Sequence, residues 1–444
     1  MTTPNQPSRS ASSPIGRFIS RVAAVEPYEV RAVALSMLYF FFLFGSYSVI
    51  KPVRDAMGTV YGVAHLQELF TVTLVASLVF APLYSGLATR VKLSSFLPWV
   101  YGFVALSILA FYGMFLNQQN QDRWVAAGFY VWVSTFNMLI ISVFWSFMAD
   151  LFSRAQAKRL FGLVAAGGTL GGIAGPAIAT LLATKVGNNN LLLIAAAGFA
   201  VTAIVVRMLA SEKEKLLAIA PEAQRTSLSH RLSGSAFDGF KLLLRSRYLL
   251  LIALFLLLMT WISTIVYFQL GDLITKAFQN REQRTHVYAM IDLAVNSCAV
   301  LIQLLGTGRF IARFGVGAGL LLNPIIMVVA FLAMAFSPVL MLLGAIQIVR
   351  RVAEYAVAKP TREMLFTLVD QESRYKAKNV IDTVVYRFGD FSAAWISAAV
   401  LPYGVIGLAV FGAVVSLIWF PVAYLLGRQY EAARSGGETP PSAH

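Results

Sequence analysis

The chain has 444 residues, 58% of them hydrophobic and only 13% charged, with a mean hydropathy of +0.70. A soluble domain carries about 25% charged residues, so this composition excludes a water-soluble globular protein and places the chain in a lipid bilayer. The net charge of +15 calls for no nucleic acid partner, because a basic cytoplasmic face against anionic lipid accounts for it.

Residues 1–30 form a Ser/Pro/Arg-rich cytoplasmic tail without the apolar core or small-residue cleavage site of a secretory signal. Apolar runs able to cross about 30 Å of hydrocarbon follow at 32–53, 64–88, 95–116, 124–149, 160–184 and 190–210. The first carries Tyr47 and ends in Lys51, Arg54 and Asp55, which are expected to face Glu68 near the start of the second. A short loop, Gly86–Arg90, follows the second run. The fourth run holds Asn137.

The fifth run contains Gly162, Gly171 and the pair Gly175-Pro176. Glycines four residues apart let helices approach closely, and proline bends the segment. This spacing resembles the antiporter signature of the major facilitator superfamily, with Ala179 and Thr180 where that pattern has two more glycines.

Residues 211–247 are polar and basic and read as a cytoplasmic linker. A second set of runs covers 248–270, 285–307, 315–336, 338–359, 380–402 and 404–427, followed by a cytoplasmic tail at 428–444. The seventh run holds Tyr267 and Gln269, and the eighth holds Asp292 and Asn296 on one face. The loop after the eighth, Arg309–Arg313, parallels Gly86–Arg90 at an offset of 223. The tenth carries Arg350, Arg351 and Glu354, with 350 and 354 on a shared helical face. The eleventh opens with Asp382, Arg387 and Asp390.

The two sets are related. Asp150, Ser153, Arg154, Ala157, Lys158 and Val164 recur as Asp370, Ser373, Arg374, Ala377, Lys378 and Val384, at a constant offset of 220 that also relates Tyr47 to Tyr267. The chain therefore reads as an all-α membrane protein of about twelve transmembrane helices. Its two homologous halves, 31–210 and 248–427, are expected to rock about a midplane site by alternating access. Lys and Arg collect on the side of the tail and linker, which places both termini in the cytoplasm.

Each charge within these runs costs about 2.5–3.5 kcal/mol at a helix centre unless it is paired or hydrated. Keeping Lys51, Arg54, Arg350, Arg351 and Arg387 there points to a wet pathway for a small anionic substrate. Arginine's planar fork suits phosphate or carboxylate oxygens. Tyr47, Tyr267, Gln269 and Asn137 complete the candidate binding set. Asp55, Glu68, Asp292, Glu354, Asp382 and Asp390 are candidates for coupling or ion pairing. Gly162, Gly171, Gly175, Pro176, Asp150, Arg154, Lys158, Asp370, Arg374 and Lys378 are candidates for conformational roles. The single Cys298 and four unpaired histidines supply no metal site, and no nucleophile–base pair or cofactor loop suggests an enzyme.

Ser48-Val49-Ile50-Lys51-Pro52-Val53-Arg54-Asp55 resembles the charged first segment of the ATP/ADP translocases, nucleotide transporters of plastids and intracellular bacteria. Phe144-Trp145-Ser146-Phe147 with Ala157-Lys158-Arg159 is similar to their helix-four exit. Lys359-Pro360-Thr361-Arg362-Glu363-Met364, running on through Asp370 to Lys378, Asp382 and Arg387, is the strongest resemblance. The resemblance implies nucleotide exchange on a major-facilitator-like fold. It assigns basic roles to Arg54, with Lys51 as its neighbour, and to Lys376, Lys378 or Arg362. The family's membrane glutamates in helices four and seven are absent. Thr135 and Asn137 stand in the fourth helix, and Tyr267 and Gln269 in the seventh.

The expected function is antiport of ATP and ADP or another phosphorylated anion by a monomer in the bacterial inner (plasma) membrane. One alternative is a permease for a different organic anion or a proton-coupled solute, with Asp292 or Glu68 carrying the proton. Another is a non-transporting membrane scaffold.

Overall fold

A backbone in hydrocarbon must satisfy its own N–H and C=O groups, which leaves helices as the solution for apolar runs of this length. The computed structural model describes residues 25–88, 93–116, 123–219, 236–369 and 371–436, and every regular element among them is helical. In chain order these are α1 (Val30–Tyr61), α2 (Leu66–Ala88), α3 (Leu93–Leu116), α4 (Arg123–Leu151), α5 (Arg154–Ile219), α6 (Ala236–Arg245) and α7 (Arg247–Ala277). Then follow α8 (Arg281–Ile302), α9 (Gly308–Phe336), α10 (Leu340–Ala353), α11 (Lys359–Leu365), α12 (Gln371–Val380), α13 (Tyr386–Val400) and α14 (Gly404–Gly436). Among the described residues, eight helical stretches are long and apolar enough to cross a membrane.

Three of those stretches, of 54, 56 and 58 residues, are each more than 80 Å of helix at about 1.5 Å per residue, over twice the hydrocarbon thickness. Each is broken at a glycine. Gly187 has φ 81° and ψ 161°, and Gly315 has φ 81° and ψ 174°, a combination open to glycine and strained for any residue with a Cβ. The third break is at Gly404, 217 residues after Gly187 and close to the offset of the sequence repeat.

The first helix differs from expectation. It continues to Tyr61 with Pro52 inside it, past the predicted end at 53. Val53, Ala56 and Met57 are buried beyond the proline, so packing outweighs the single lost backbone hydrogen bond.

The described residues form two compact units. One comprises those of Met1–Lys51, Val79–Gln118 and Val133–Arg231, and the other those of Pro52–Leu78, Gln119–Trp132 and Leu232–His444. In the first unit α5 lies against α1 through glycines. A side chain begun at Gly175 would meet the Gly45 carbonyl oxygen at 2.5 Å, and one begun at Gly171 would meet the Gly45 nitrogen at 2.8 Å. Gly162 differs, having nothing within 4 Å of that position. The predicted glycine series therefore contributes contact at two of its three members.

The start of α5 is fixed by Ser153 and Gln156, which cap each other's backbone N–H groups. Gln156 and Arg159 both donate to Glu29, at 2.8 and 2.9 Å. Glu29 is fully buried beside the first turn of α1. Replacing Glu29 with alanine removes both charge-assisted bonds and is expected to destabilise the protein by about 2–3 kcal/mol. Thermal unfolding of the variant in detergent measures this, and an unchanged midpoint would show the contact to be idle.

The second unit is built around α7, whose Phe255, Ile262, Ile265 and Phe268 are all buried. Helices α13 and α14 pack against it. Three π-turns interrupt this unit's helices, at Gln303–Thr307, Glu354–Ala358 and Ile381–Val385. Such turns widen the helix and free backbone carbonyls, and they recur at functional sites.

Candidate functional site

One face of α7 organises the charged groups of the second unit. The Ser263 hydroxyl accepts from Arg350 Nη1 at 2.6 Å, and four residues on, the Tyr267 hydroxyl donates to Asp55 Oδ1 at 3.1 Å. Residues four apart lie one above the other on a helix, so the groups held by Ser263 and Tyr267 are stacked one turn apart. Between them Thr264 lies beside Asp390. The face thus joins α1, α10 and α13.

Each of four arginines meets a carboxylate. Arg54 grips Asp55 through Nε at 3.1 Å and Nη2 at 2.6 Å, and its guanidinium lies over the Tyr130 ring at 5.3 Å. Arg350, only 5% exposed, bonds Glu354 at 2.8 Å and forks onto Gln347 Oε1 at 3.1 and 2.9 Å. Arg351 bonds Asp292 at 2.5 Å and lies 5.6 Å from the Tyr355 ring centroid. Arg387 approaches Asp390 at 3.8 Å. Three of the pairs are local to one helical segment. Arg351–Asp292 alone of the four crosses between helices, from α10 to α8.

A second cluster joins α11, α12 and the π-turn after it. Arg362 reaches Asp382 at 3.2 Å and Glu363 at 3.4 Å, while Lys378 contacts Glu363 and lies 5.6 Å from the Phe366 ring centroid. This brings together Lys378, Arg362 and Asp382, candidates drawn from separate parts of the sequence argument. Arg284 is a further buried cation, bonded to Thr59 and to the Phe278 carbonyl, both at 3.0 Å.

The other predicted residues are more dispersed. Glu68 was expected to face Lys51 and Arg54. It is instead engaged by the Tyr61 hydroxyl and, at 2.8 Å, by His65. The extra length of α1 puts Tyr61 beside it. Gln269 is buried, and its amide donates to the Val405 carbonyl at 3.1 Å, which ties α7 to α14. Tyr47 is buried and Lys51 half-buried in the first unit. Asn137 is half-buried there too, and its Oδ1 meets no hydrogen-bond donor among the described residues. Pro176 is buried in α5, and Asp150 is half-buried near the end of α4. Asp370 lies outside the described residues, as do the side chains of Arg154, Lys158 and Arg374.

Residues 109–430 match the family model described as the TLC ATP/ADP transporter. The chain belongs to the TLC ATP/ADP transporter family. It is 23% identical to ADP,ATP carrier protein 1 of Chlamydia trachomatis, over 97% of this chain and 94% of the carrier. It is also 23% identical to the Chlamydia pneumoniae protein of the same name, over 96% of each. Among solved structures it is similar to the nucleoside transporter NupG (TM-score 0.60, 16% identity, 91% of this chain and 98% of that one). It is also similar to a bacterial homologue of the iron transporter ferroportin in an inward-facing state (TM-score 0.64, 11% identity, 90% and 98%). At those identities the likeness is one of fold alone.

Within this family member, sequence reasoning missed Ser263, Gln347, Tyr130, Arg284 and Glu29. Gln347 was open to discovery, because it sits three residues before Arg350 on the same helical face. Ser263 and Tyr130 were not, since only the fold brings them to arginines distant in sequence.

Proposed function

We propose that this TLC family member is an antiporter that exchanges ATP and ADP, or another phosphorylated anion, by alternating access. The supporting observation is the set of four arginines, each held by a carboxylate. Such pairing neutralises cations that hydrocarbon would otherwise penalise. It also leaves them recruitable, because a phosphate presents the same oxygen geometry to an arginine fork as the carboxylate it displaces. In this reading Arg54, Arg350, Arg351 and Arg387 bind the phosphates, with Lys51, Tyr47, Tyr267, Gln269 and Asn137 lining the path. Asp55, Asp292, Glu354 and Asp390 hold the arginines between cargoes.

We further infer twelve crossings. The glycine breaks divide three of the eight long stretches in two, and α10 adds one more. The homologous halves are 31–210 and 248–427, joined by the basic linker 211–247. The termini are cytoplasmic and the membrane is the bacterial inner membrane, following the side on which Lys and Arg collect. The chain works as a monomer.

Proteoliposomes loaded with ADP are expected to take up labelled ATP well above empty vesicles, since an obligatory exchanger needs internal counter-substrate. Equal uptake into empty and ADP-loaded vesicles would contradict exchange, and no uptake in either would contradict the nucleotide as cargo.

A further inference from the structure

A groove of about 690 Å³ runs along the outside of α8, α9 and α10, apart from the arginine–carboxylate face of α7. Its walls are almost wholly apolar, including Ile302, Val349 and Val352, and its floor is made of the small residues Gly306, Ala353 and Ala356. The floor exists because two π-turns meet there. Gln303 Nε2 donates to the Tyr355 carbonyl at 2.9 Å, and the Thr307 hydroxyl donates to the Ala356 carbonyl at 2.7 Å. These bonds pin the two widened turns together by the groups that the turns release.

At one end the groove carries Arg309 and Arg313, both exposed. Arg309 donates one N–H to the Leu305 carbonyl at 2.9 Å, and Arg313 lies over Phe314 at 5.4 Å. Neither is paired with a carboxylate among the described residues. They precede the helix break at Gly315, with Arg309 about 42 Å and Arg313 about 48 Å along the helical path from Arg281, one bilayer away. The end with the arginines therefore sits at a membrane face, with the apolar length of the groove running into hydrocarbon.

We propose that this groove is a binding site for an anionic phospholipid, with one acyl chain along Ile302, Val349 and Val352 and the headgroup phosphate on Arg309 and Arg313. An acyl chain suits a narrow apolar slot open to the bilayer. Two guanidinium groups with free N–H donors at its interfacial end select a net negative headgroup over a zwitterionic one, because the added ammonium of the latter opposes them. In sequence this loop is the counterpart of Gly86–Arg90. The site does not depend on which cargo the transporter carries.

The test is native mass spectrometry of the full-length protein released from detergent with equal amounts of phosphatidylglycerol and phosphatidylcholine. Phosphatidylglycerol is expected to be retained about tenfold over phosphatidylcholine, in a ratio near one lipid per chain. Arg309→Ala/Arg313→Ala, which alters only exposed side chains, is expected to abolish the preference with the thermal midpoint intact. Val349→Trp, which fills the groove from a half-exposed position, is expected to reduce retention of both lipids. Millimolar inorganic phosphate is expected to leave the phosphatidylglycerol adduct in place. Equal retention of the two lipids, an unchanged preference in the double arginine variant, or displacement of the lipid by phosphate alone would each overturn the proposal.

Discussion

Gly171→Leu is expected to eliminate folded protein, while Gly162→Leu, nine residues earlier on the same helix, leaves it intact. At Gly171 the first carbon of any side chain would come within 2.8 Å of the Gly45 nitrogen, and that atom belongs to the backbone of α1. A backbone cannot rotate aside as a side chain does, so the whole helix must move. Overpacking that side chains absorb costs about 1–3 kcal/mol. Here the displacement would also break the neighbouring contact of Gly175 with Gly45 and Ser48. A stability of 5–15 kcal/mol is typical of a whole domain, so the loss is a large part of it. Gly171→Ala should fall between the two, with a lowered thermal midpoint but recoverable protein. Size-exclusion profiles of the three variants from solubilised membranes are the measurement. A monodisperse Gly171→Leu peak at the native position would refute the helix contact.

The contrast between those glycines shows what the sequence could reveal. Spacing alone marks Gly162, Gly171 and Gly175 as equivalent. Which of them faces a partner depends on the rotation of α5 about its axis, and the partner stripe on α1 carries a single glycine, Gly45, amid Phe41 and Ser48. Element positions were far more legible. Hydrophobic runs long enough for a bilayer lie in helices, and the gaps at 184–190 and 402–404 coincide with breaks at Gly187 and Gly404. The end of α1 was missed because Lys51, Arg54 and Asp55 end the apolar run, whereas here the buried residues beyond them hold the helix together.

Charged residues divide in the same way. Arg350–Glu354 follows from helical spacing and is present at 2.8 Å. Arg54–Asp55 and Arg387–Asp390 are likewise near neighbours in the chain. Pairs distant in sequence were not readable. Asp292 was noted for sharing a face with Asn296, and nothing in the sequence connects it to a residue 59 positions later. The same holds for Glu29, assigned to a tail yet buried against Arg159. Local periodicity reports the neighbours on one helix, and tertiary packing supplies those on the next.

That distinction makes Arg351–Asp292 the most informative pair to disturb. The two side chains are 11% and 5% exposed and 2.5 Å apart, and they join α10 to α8. Removing one member leaves the other as a lone buried charge, which costs about 3–5 kcal/mol. Arg351→Ala is therefore expected to lose both stability and exchange, a result that does not separate a packing role from a binding role. The double variant Arg351→Ala/Asp292→Ala does separate them. With both charges gone the desolvation penalty disappears as well, and replacing a whole buried pair is often neutral for stability. If Arg351 grips the phosphate of the cargo, the double variant should unfold near the native midpoint. It should nonetheless exchange ATP for ADP about a hundredfold more slowly, the loss appropriate to a charge-assisted hydrogen bond of 1.5–3 kcal/mol. Initial rates in ADP-loaded proteoliposomes, set beside the thermal midpoint of the same preparation, provide both readings. Native rates with native stability would assign the pair to architecture alone, and leave Arg54, Arg350 and Arg387 to carry the anion.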